Sequence, residues 1–497
     1  MAENSIARQS NSQLKLQIGM ATPVRKAPAA SAIGSRSTLF RRQLCTQLVL
    51  LPADFKSRLP DNHLVFFIID MVSRLDLSGI LVKYENKSGV GRPAYDPTMM
   101  LTLILYCYCT GTTSGRAIER SCRESVPCGV ITGNQTPDHD TISNFLLLHR
   151  EQFDCIFQQI LQQAEEFGLV KLEHVALDGS KIHANASRHK AMSYQRMCEK
   201  TEKLPLDCEK LETQIAELES QDNPRAAKEV HTLKTEVKFK KKRLAKIKAS
   251  KKKLEQRAKK RARVQAKEKT KLLKQGRKIR KIPDPKTALP EPTEQINFTD
   301  PDSRIMGHTG GAFEQCYNVQ IVVDRHCQMI VAHDVVQQGN DKNLLEPMFR
   351  QVHQRLGKYP ISGSADAGYF TQESITTDSL STVELFVPPD RETHPRTSRP
   401  SVGRIPKDIS PADRMRRKLS TTHGKELYAQ RKCIVEPVFG QIKHSVFAFD
   451  QFSWRGLGNV RLEWALVCTA HNLTKIWRSG YRFAQAESWP PPVMKAA

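Results

Sequence analysis

The chain has 497 residues and a formal charge of +25, with 77 Lys and Arg against 52 Asp and Glu. That length allows two or three domains with ample core, and the charge excess favours an extended polyanion, nucleic acid first, as partner. Apolar runs stay short of the roughly 18 to 20 residues that cross a bilayer, and the 12 cysteines include no C-x-x-C pair, which argues against a membrane-embedded role, a zinc ribbon and a disulfide scaffold.

Residues 1–40 are rich in Ser, Ala and basic side chains and lack a compact secretory-type apolar stretch, so they are expected to form a disordered basic arm on a cytoplasmic protein. Residues 41–168 read as a helical DNA-binding domain. Leu64, Ile68, Met71 and Val72, then Met100, Leu103, Ile104 and Cys107, recur at helical spacing, broken by Gly-Arg-Pro at Gly91. The turn at 111–115 separates one helix from another carrying Arg116, Arg120 and Arg123, and a third begins near Thr141. Such a basic face is either solvated or laid into a major groove. Arg116 and Arg120 are the DNA-contact candidates.

From Leu169 the pattern changes to strand-like runs at 175–177, 317–323, 329–335, 361–365 and 383–387, with a helix over 343–356. They predict an α/β domain over 169–480, followed by a disordered tail at 481–497. A charged segment at 189–295 interrupts it; from 225 to 281 there are 26 Lys or Arg against 4 Glu, a net of +22. Val230, Leu233, Val237, Leu244, Ile247 and Leu254 fall on heptad-like positions, which predicts a long helix or helical hairpin of coiled-coil type. Charge this dense repels itself unless an anion neutralises it, so nonspecific DNA binding is the preferred reading over a merely solvated face. A second stretch, 388–422, rich in Pro, Ser and Arg, is expected to be a loop or small insertion.

Three acids carry the chemistry. Asp178 follows Val175-Ala176-Leu177 and precedes Gly179-Ser180, at the end or middle of a buried strand. Asp366 repeats the arrangement in Ser364-Ala365-Asp366-Ala367-Gly368, where small residues let other segments approach. Glu436 lies in a helix into which Pro437 fits best near the first turn, with Lys443 on the same face. Together they offer the hard oxygen ligands that phosphoryl transfer needs for divalent cations, although singly an Asp-Gly pair is a common turn. Asp300, Asp302, Asp324 and Asp341 are further acids near the strands; Asp324 is the strongest rival and is read as structural. Of Phe452, Trp454 and Arg455, the last two could clamp a base, and Phe452 fits the core better.

Six motifs occur in order: Gly91-Arg92-Pro93-Ala94-Tyr95-Asp96-Pro97, Ser114-Gly115-Arg116-Ala117-Ile118-Glu119, Leu177-Asp178-Gly179-Ser180-Lys181, Tyr317-Asn318-Val319-Gln320 with Asp324, Ala365-Asp366-Ala367-Gly368-Tyr369, and Val435-Glu436-Pro437-Val438-Phe439-Gly440. In this order the chain resembles the DDE transposases of bacterial insertion sequences, over about residues 60 to 477. The resemblance implies a ribonuclease-H-like mixed sheet with flanking helices, interrupted by the basic insertion and preceded by an all-α domain. It implies that Asp178, Asp366 and Glu436 hold Mg²⁺, for which Mn²⁺ could substitute, while Tyr428, Arg431 and Lys443 hold DNA phosphates. Arg431 stands five residues before Glu436, where the better-known signature has four and this sequence offers Lys432. The implied activity is cleavage at terminal inverted repeats and strand transfer into target DNA by a homodimer on the nucleoid. The rival is a catalytically inactive descendant acting as a DNA-binding repressor or architectural protein; a structural basic coiled coil would explain only the insertion.

Overall fold

The computed structural model describes residues 56–85, 93–220, 224–274, 282–307, 311, 313–390, 403, 408–445 and 447–481. The expected arm at 1–40, the tail beyond Tyr481, and the Gly91-Arg92 part of the first motif lie outside the described residues.

Apolar spacing in the first part of the chain becomes helices α1 (Leu64–Ser73), α2 (Ser78–Glu85), α3 (Pro97–Cys109), α4 (Gly115–Glu124), α5 (Val126–Thr132), α6 (His139–Leu148) and α7 (Gln152–Glu166). Their starts are set by side chains that satisfy the first free amides: Asp96 caps α3 ahead of Pro97, Ser114 caps α4 and Asp138 caps α6. Every residue from Met99 to Cys109 is buried, so α3 is apolar all round rather than striped.

The chain then enters β1 (His174–His183) and leaves through β2 (Ala191–Ser193) into α8 (Tyr194–Glu219) and α9 (Pro224–Lys274). It returns by β3 (Gln295–Asn297), which pairs with β2, and continues through β4 (Arg304–Gly307), β5 (Phe313–Asp324), β6 (Ile330–Val336), α10 (Leu345–Leu356), β7 (Ser362–Ala365), α11 (Gln372–Ile375) and β8 (Glu384–Phe386). α12 (Pro411–Ser420), α13 (Thr422–His444) and α14 (Leu457–Arg478) complete it. The sheet order is β6-β5-β1-β7-β8, with β4 sharing the outer edge of β5; β5 is antiparallel to β1 and β6, while β7 and β8 run parallel to β1. This is the ribonuclease-H-like order, and the segment between β2 and β3 leaves it undisturbed. No helix among the described residues is long and apolar enough to cross a membrane.

Three expectations need correction. β1 extends well past 177: beyond the end of β7 its second half, Asp178 to His183, stays paired with β5, and His183 also bridges Gln451. α12 occupies part of the stretch expected as loop; Ser410 caps it and Pro411 starts it, but only Met415 is buried, so no apolar period announces it. Pro437 sits in the middle of α13 rather than in a first turn. A proline there removes the amide that would bond the carbonyl four residues back, which is Cys433. Gln328, held at φ 56° in the β5–β6 turn, donates Nε2 to that carbonyl at 3.1 Å, and Lys475 donates to the Gln328 Oε1 at 2.9 Å. Gln328→Ala is expected to lower stability by about 1–2 kcal/mol, read by chemical denaturation, since the orphaned carbonyl loses its donor; an unchanged midpoint would show that solvent satisfies Cys433 instead.

α14 is buried along nearly its whole length and packs against α3, α7 and β6, so helices and sheet share one core. α8 and α9 instead carry clusters of their own. One joins Met192, Met197 and Leu204 to Ile247, Leu254 and Ile296; the other joins Ile215 to Val230 and Val237. Glu212–Lys241 and Glu219–Lys234 pairs, each 2.6 Å, cross the hairpin near its tip; exposed as they are, each contributes less than about 1 kcal/mol. With 51 residues, α9 is about 77 Å long.

Candidate active site

Leu177 of β1 lies beside Ala365 of the parallel β7, so the next residue on each strand, Asp178 and Asp366, emerges from the middle of the sheet side by side. Asp366 accepts the Gly368 amide at 2.9 Å and turns the chain out of β7. Asp178 accepts the Gly179 amide on Oδ1 at 2.8 Å and pairs through Oδ2 with Arg431 Nη1 of α13 at 2.9 Å. Burial pushes the Asp178 carboxyl up to about 6; Arg431 and the Gly179 amide oppose that rise, and the carboxylates of Asp366 and Asp341 add to it.

Asp341, one of the bystander acids of the sequence, is thus part of this cluster. Its Oδ1 accepts from Asn318 Nδ2 at 2.8 Å and Gln320 Nε2 at 2.9 Å. The signal for it was the pair Asn318 and Gln320, two residues apart on one face of an otherwise apolar strand, where buried amides need a polar partner. Glycines make room: a Cβ at Gly179 would stand 2.2 Å from Gln320 Nε2.

From α13, Lys443 Nζ donates to Ser180 Oγ at 2.6 Å, two residues past Asp178 on β1. Burial lowers the Lys443 pKa. Arg431, not the exposed Lys432, reaches Asp178, and its guanidinium lies 5.9 Å from the Tyr428 ring. Glu436 is exposed on α13 and makes no hydrogen bond or ion pair with the described residues. Among those residues no three His, Cys, Asp or Glu are gathered to hold a metal ion. The structure places Asp178 and Asp366 just past the paired residues of the adjacent strands β1 and β7, with Arg431 bonded to Asp178, Lys443 bonded to Ser180 and Asp341 held by Asn318 and Gln320, and Glu436 does not join their bonding network. The oxygens of Asp178 and Asp366 are nevertheless of the hard donor type that a divalent cation takes, and Gly368 leaves room beside them, since a Cβ there would meet Asp366 Oδ1 at 3.0 Å.

The other acids have structural partners. Asp324 accepts the amides of Leu172, His326 and Lys171 at 3.0, 3.2 and 3.4 Å. Asp300 takes the Tyr317 hydroxyl at 2.8 Å, and Asp302 the Leu457 amide at 3.2 Å. Arg116 and Arg120 are exposed one turn apart on α4, whereas Arg123 is paired with Glu119 at 2.6 Å.

Phe452 is buried edge-on to Tyr317 and Phe449, and Arg455 bonds Asn185. The segment between them hangs on Glu463, a fully buried residue of α14 that accepts the Ser453 and Trp454 amides at 3.0–3.2 Å. Burial pushes the Glu463 carboxyl up to about 7, and these amides oppose it. A carboxyl at roughly 4.3 when unfolded binds more protons in the folded state up to about 7, so its contribution to stability falls as pH rises through that window. Glu463→Gln removes the slope. The melting temperature of the variant relative to the parent is expected to climb from pH 5 to pH 8 in calorimetry, and a constant difference would reject the ionised, buried carboxylate.

The sheet order, with its two acids on adjacent strands, defines a ribonuclease-H-like domain preceded by a helical region. Residues 281–473 match the family described as transposase DDE domain, and residues 53–147 match the family described as transposase domain (DUF772). The two matches together span more than half of the chain, which belongs to the DDE transposases of insertion sequences. No curated protein and no solved structure matches it. The DDE match includes Asp366 and Glu436 but begins after α9, so Asp178 precedes it.

Proposed function

We propose that this transposase cleaves DNA at insertion-sequence ends and transfers the freed strand into target DNA. The observation that carries the reading is the emergence of Asp178 and Asp366 from adjacent central strands beneath Arg431 and Lys443. In this reading Asp178, Asp366 and Glu436 hold Mg²⁺ or Mn²⁺, which supplies Lewis-acid charge to the phosphoryl group under attack. Lys443 and Arg431 bring cations to the same place, where they hold the nonbridging oxygens of a backbone phosphate. Arg431, released from Asp178 as a phosphate arrives, exchanges one anion for another. Tyr428 steadies its guanidinium.

Two in-line displacements complete the chemistry. A water oxygen first forms a bond to phosphorus as the 3′ oxygen leaves with a proton, giving a 3′ hydroxyl and a 5′ phosphate. That hydroxyl then attacks a target phosphodiester, losing its proton as the target strand's own 3′ oxygen departs.

The helical domain at 41–168, through Arg116 and Arg120, reads the terminal inverted repeats, and the basic insertion at 189–295 grips backbone. Two protomers pair two ends on the nucleoid in the cytoplasm. The test is Mg²⁺- or Mn²⁺-dependent cutting of DNA carrying the element's own ends, by the intact chain and by Asp178→Asn, Asp366→Asn and Glu436→Gln. Cutting by the intact chain alone, with binding retained by every variant, supports the reading. An intact chain that binds ends and never cuts is instead a DNA-binding repressor or architectural protein, and a variant that cuts normally removes that residue from the trio.

A further inference from the structure

A cavity of about 500 Å³ lies where the start of α7, β6, α10 and the first turns of α14 meet, and it shares no lining residue with the Asp178 and Asp366 site. Arg355 of α10 lines it and is only 5% exposed. Its Nη2 reaches Asp154 at 2.5 Å and lies 3.5 Å from His333 Nε2. Its Nη1 is buried and finds no acceptor among the described residues. A buried cationic donor without an acceptor is costly, and proteins as a rule satisfy such groups.

Other donors converge on the same space. Arg150 lines it from the chain just ahead of α7, exposed and held only by Asn459 Oδ1 at 3.4 Å. Gly458 lines it from the first turn of α14, whose N-cap Gly456 offers no side chain, and the Gly458 amide donates to no described residue. A Cβ at Gly458 would stand 3.3 Å from Arg150 Nη1, so that guanidinium lies against the helix start. Arg461, about a turn further on, is engaged by Asp334 at 3.0 Å and by the Val335 carbonyl at 3.2 Å. Burial, and then the charge of Arg355, hold His333 well below its ordinary pKa and so uncharged. Three guanidiniums against two carboxylates leave one positive charge over, at a helix end that is itself positive.

We propose that this cavity is a phosphate-binding site, in which Arg355 Nη1, Arg150 and the first turn of α14 share the oxygens of one phosphate group. Guanidinium forks match phosphate oxygens, and a helix start adds aligned amides. A DNA backbone phosphate and a soluble phosphate compound offer the same chemistry, and the test separates them.

Equilibrium dialysis of the full chain against radiolabelled inorganic phosphate reads the site, at about 0.3 M salt so that exposed lysines are screened. One saturable phosphate per chain is expected. Arg150→Gln should weaken it about tenfold, the worth of one hydrogen bond to a charged group. Gly458→Asp sets a carboxylate at a helix start, where it is well tolerated, and should abolish binding with the melting temperature kept. Arg355→Lys keeps a charge for Asp154 and gives up Nη1, so it too should bind more weakly; should it fail to fold, the two surface variants decide. No saturable phosphate on the parent, or equal affinity in Arg150→Gln and Gly458→Asp, overturns the site. A short DNA duplex that displaces the phosphate, with a salt slope of DNA affinity shallower by about 0.9 in Arg150→Gln, supports the site and assigns it to the DNA backbone. A duplex that leaves the phosphate in place, with that slope unchanged, supports the site and assigns it to a soluble phosphate compound.

Discussion

Asn at position 178 or 366 is expected to slow end cleavage at least ~10³-fold while DNA affinity stays within about twofold, because a lost cation ligand removes several kcal/mol of charge stabilisation from the transition state. Affinity for DNA comes from many phosphate contacts spread over the protein, and one carboxylate more or less changes it little. Asp178→Asn has a second consequence. Arg431 loses its 2.9 Å partner and is left nine-tenths buried with a charge to satisfy, so some stability is lost beside the activity. Asp366 pairs with no cation among the described residues, and its variant should melt close to the parent. Gel-shift binding and single-turnover cleavage on the same preparations separate the two effects. A cleavage rate that falls in step with the fraction folded would mean that the aspartates matter only for structure.

The second large effect is expected from α9. Lys238, Lys242, Lys248, Lys252, Lys259 and Lys267 are all exposed along it. Replacing the six by Gln keeps good helix formers in place but removes cations that would release counterions from DNA. The slope of log affinity against log salt should become shallower by about 0.9 for each lysine that met a phosphate, hence by as much as about 5. Circular dichroism should show the helix retained, since its packing rests on clusters such as Ile215 with Val230 and Val237. An unchanged slope with an intact helix would detach α9 from DNA and leave its charge to another anionic partner.

How much of this was legible beforehand follows from which forces act locally. Strands buried on both faces, such as β5 and β6, announce themselves as apolar runs, and the acids at their ends stand out against them. The polar half of β1 does not, since its place in the sheet is given by pairing with β5. Arg431 and Lys432 are indistinguishable by spacing alone; only the rotation of α13 turns the first toward Asp178 and leaves the second exposed. Pro437 looks like a helix start until Gln328, a residue of a distant turn, is seen to satisfy the carbonyl it orphans. Asp341 was hidden for the same reason: Asn318 and Gln320, which orient it, reach it across the fold from β5.

The position of α14 bears on how the protein is made. α3, apolar on every side, finishes its burial against a helix that ends at Arg478. During synthesis the earliest helices emerge long before that partner leaves the ribosome, and an apolar surface of this size, uncovered for so long, is an invitation to aggregate or to recruit a chaperone. A chain cut short before α14 would carry Arg116, Arg120 and the long basic hairpin without the core that supports them. A chain that lacks α14 is therefore expected to present its basic surfaces on an unfinished scaffold.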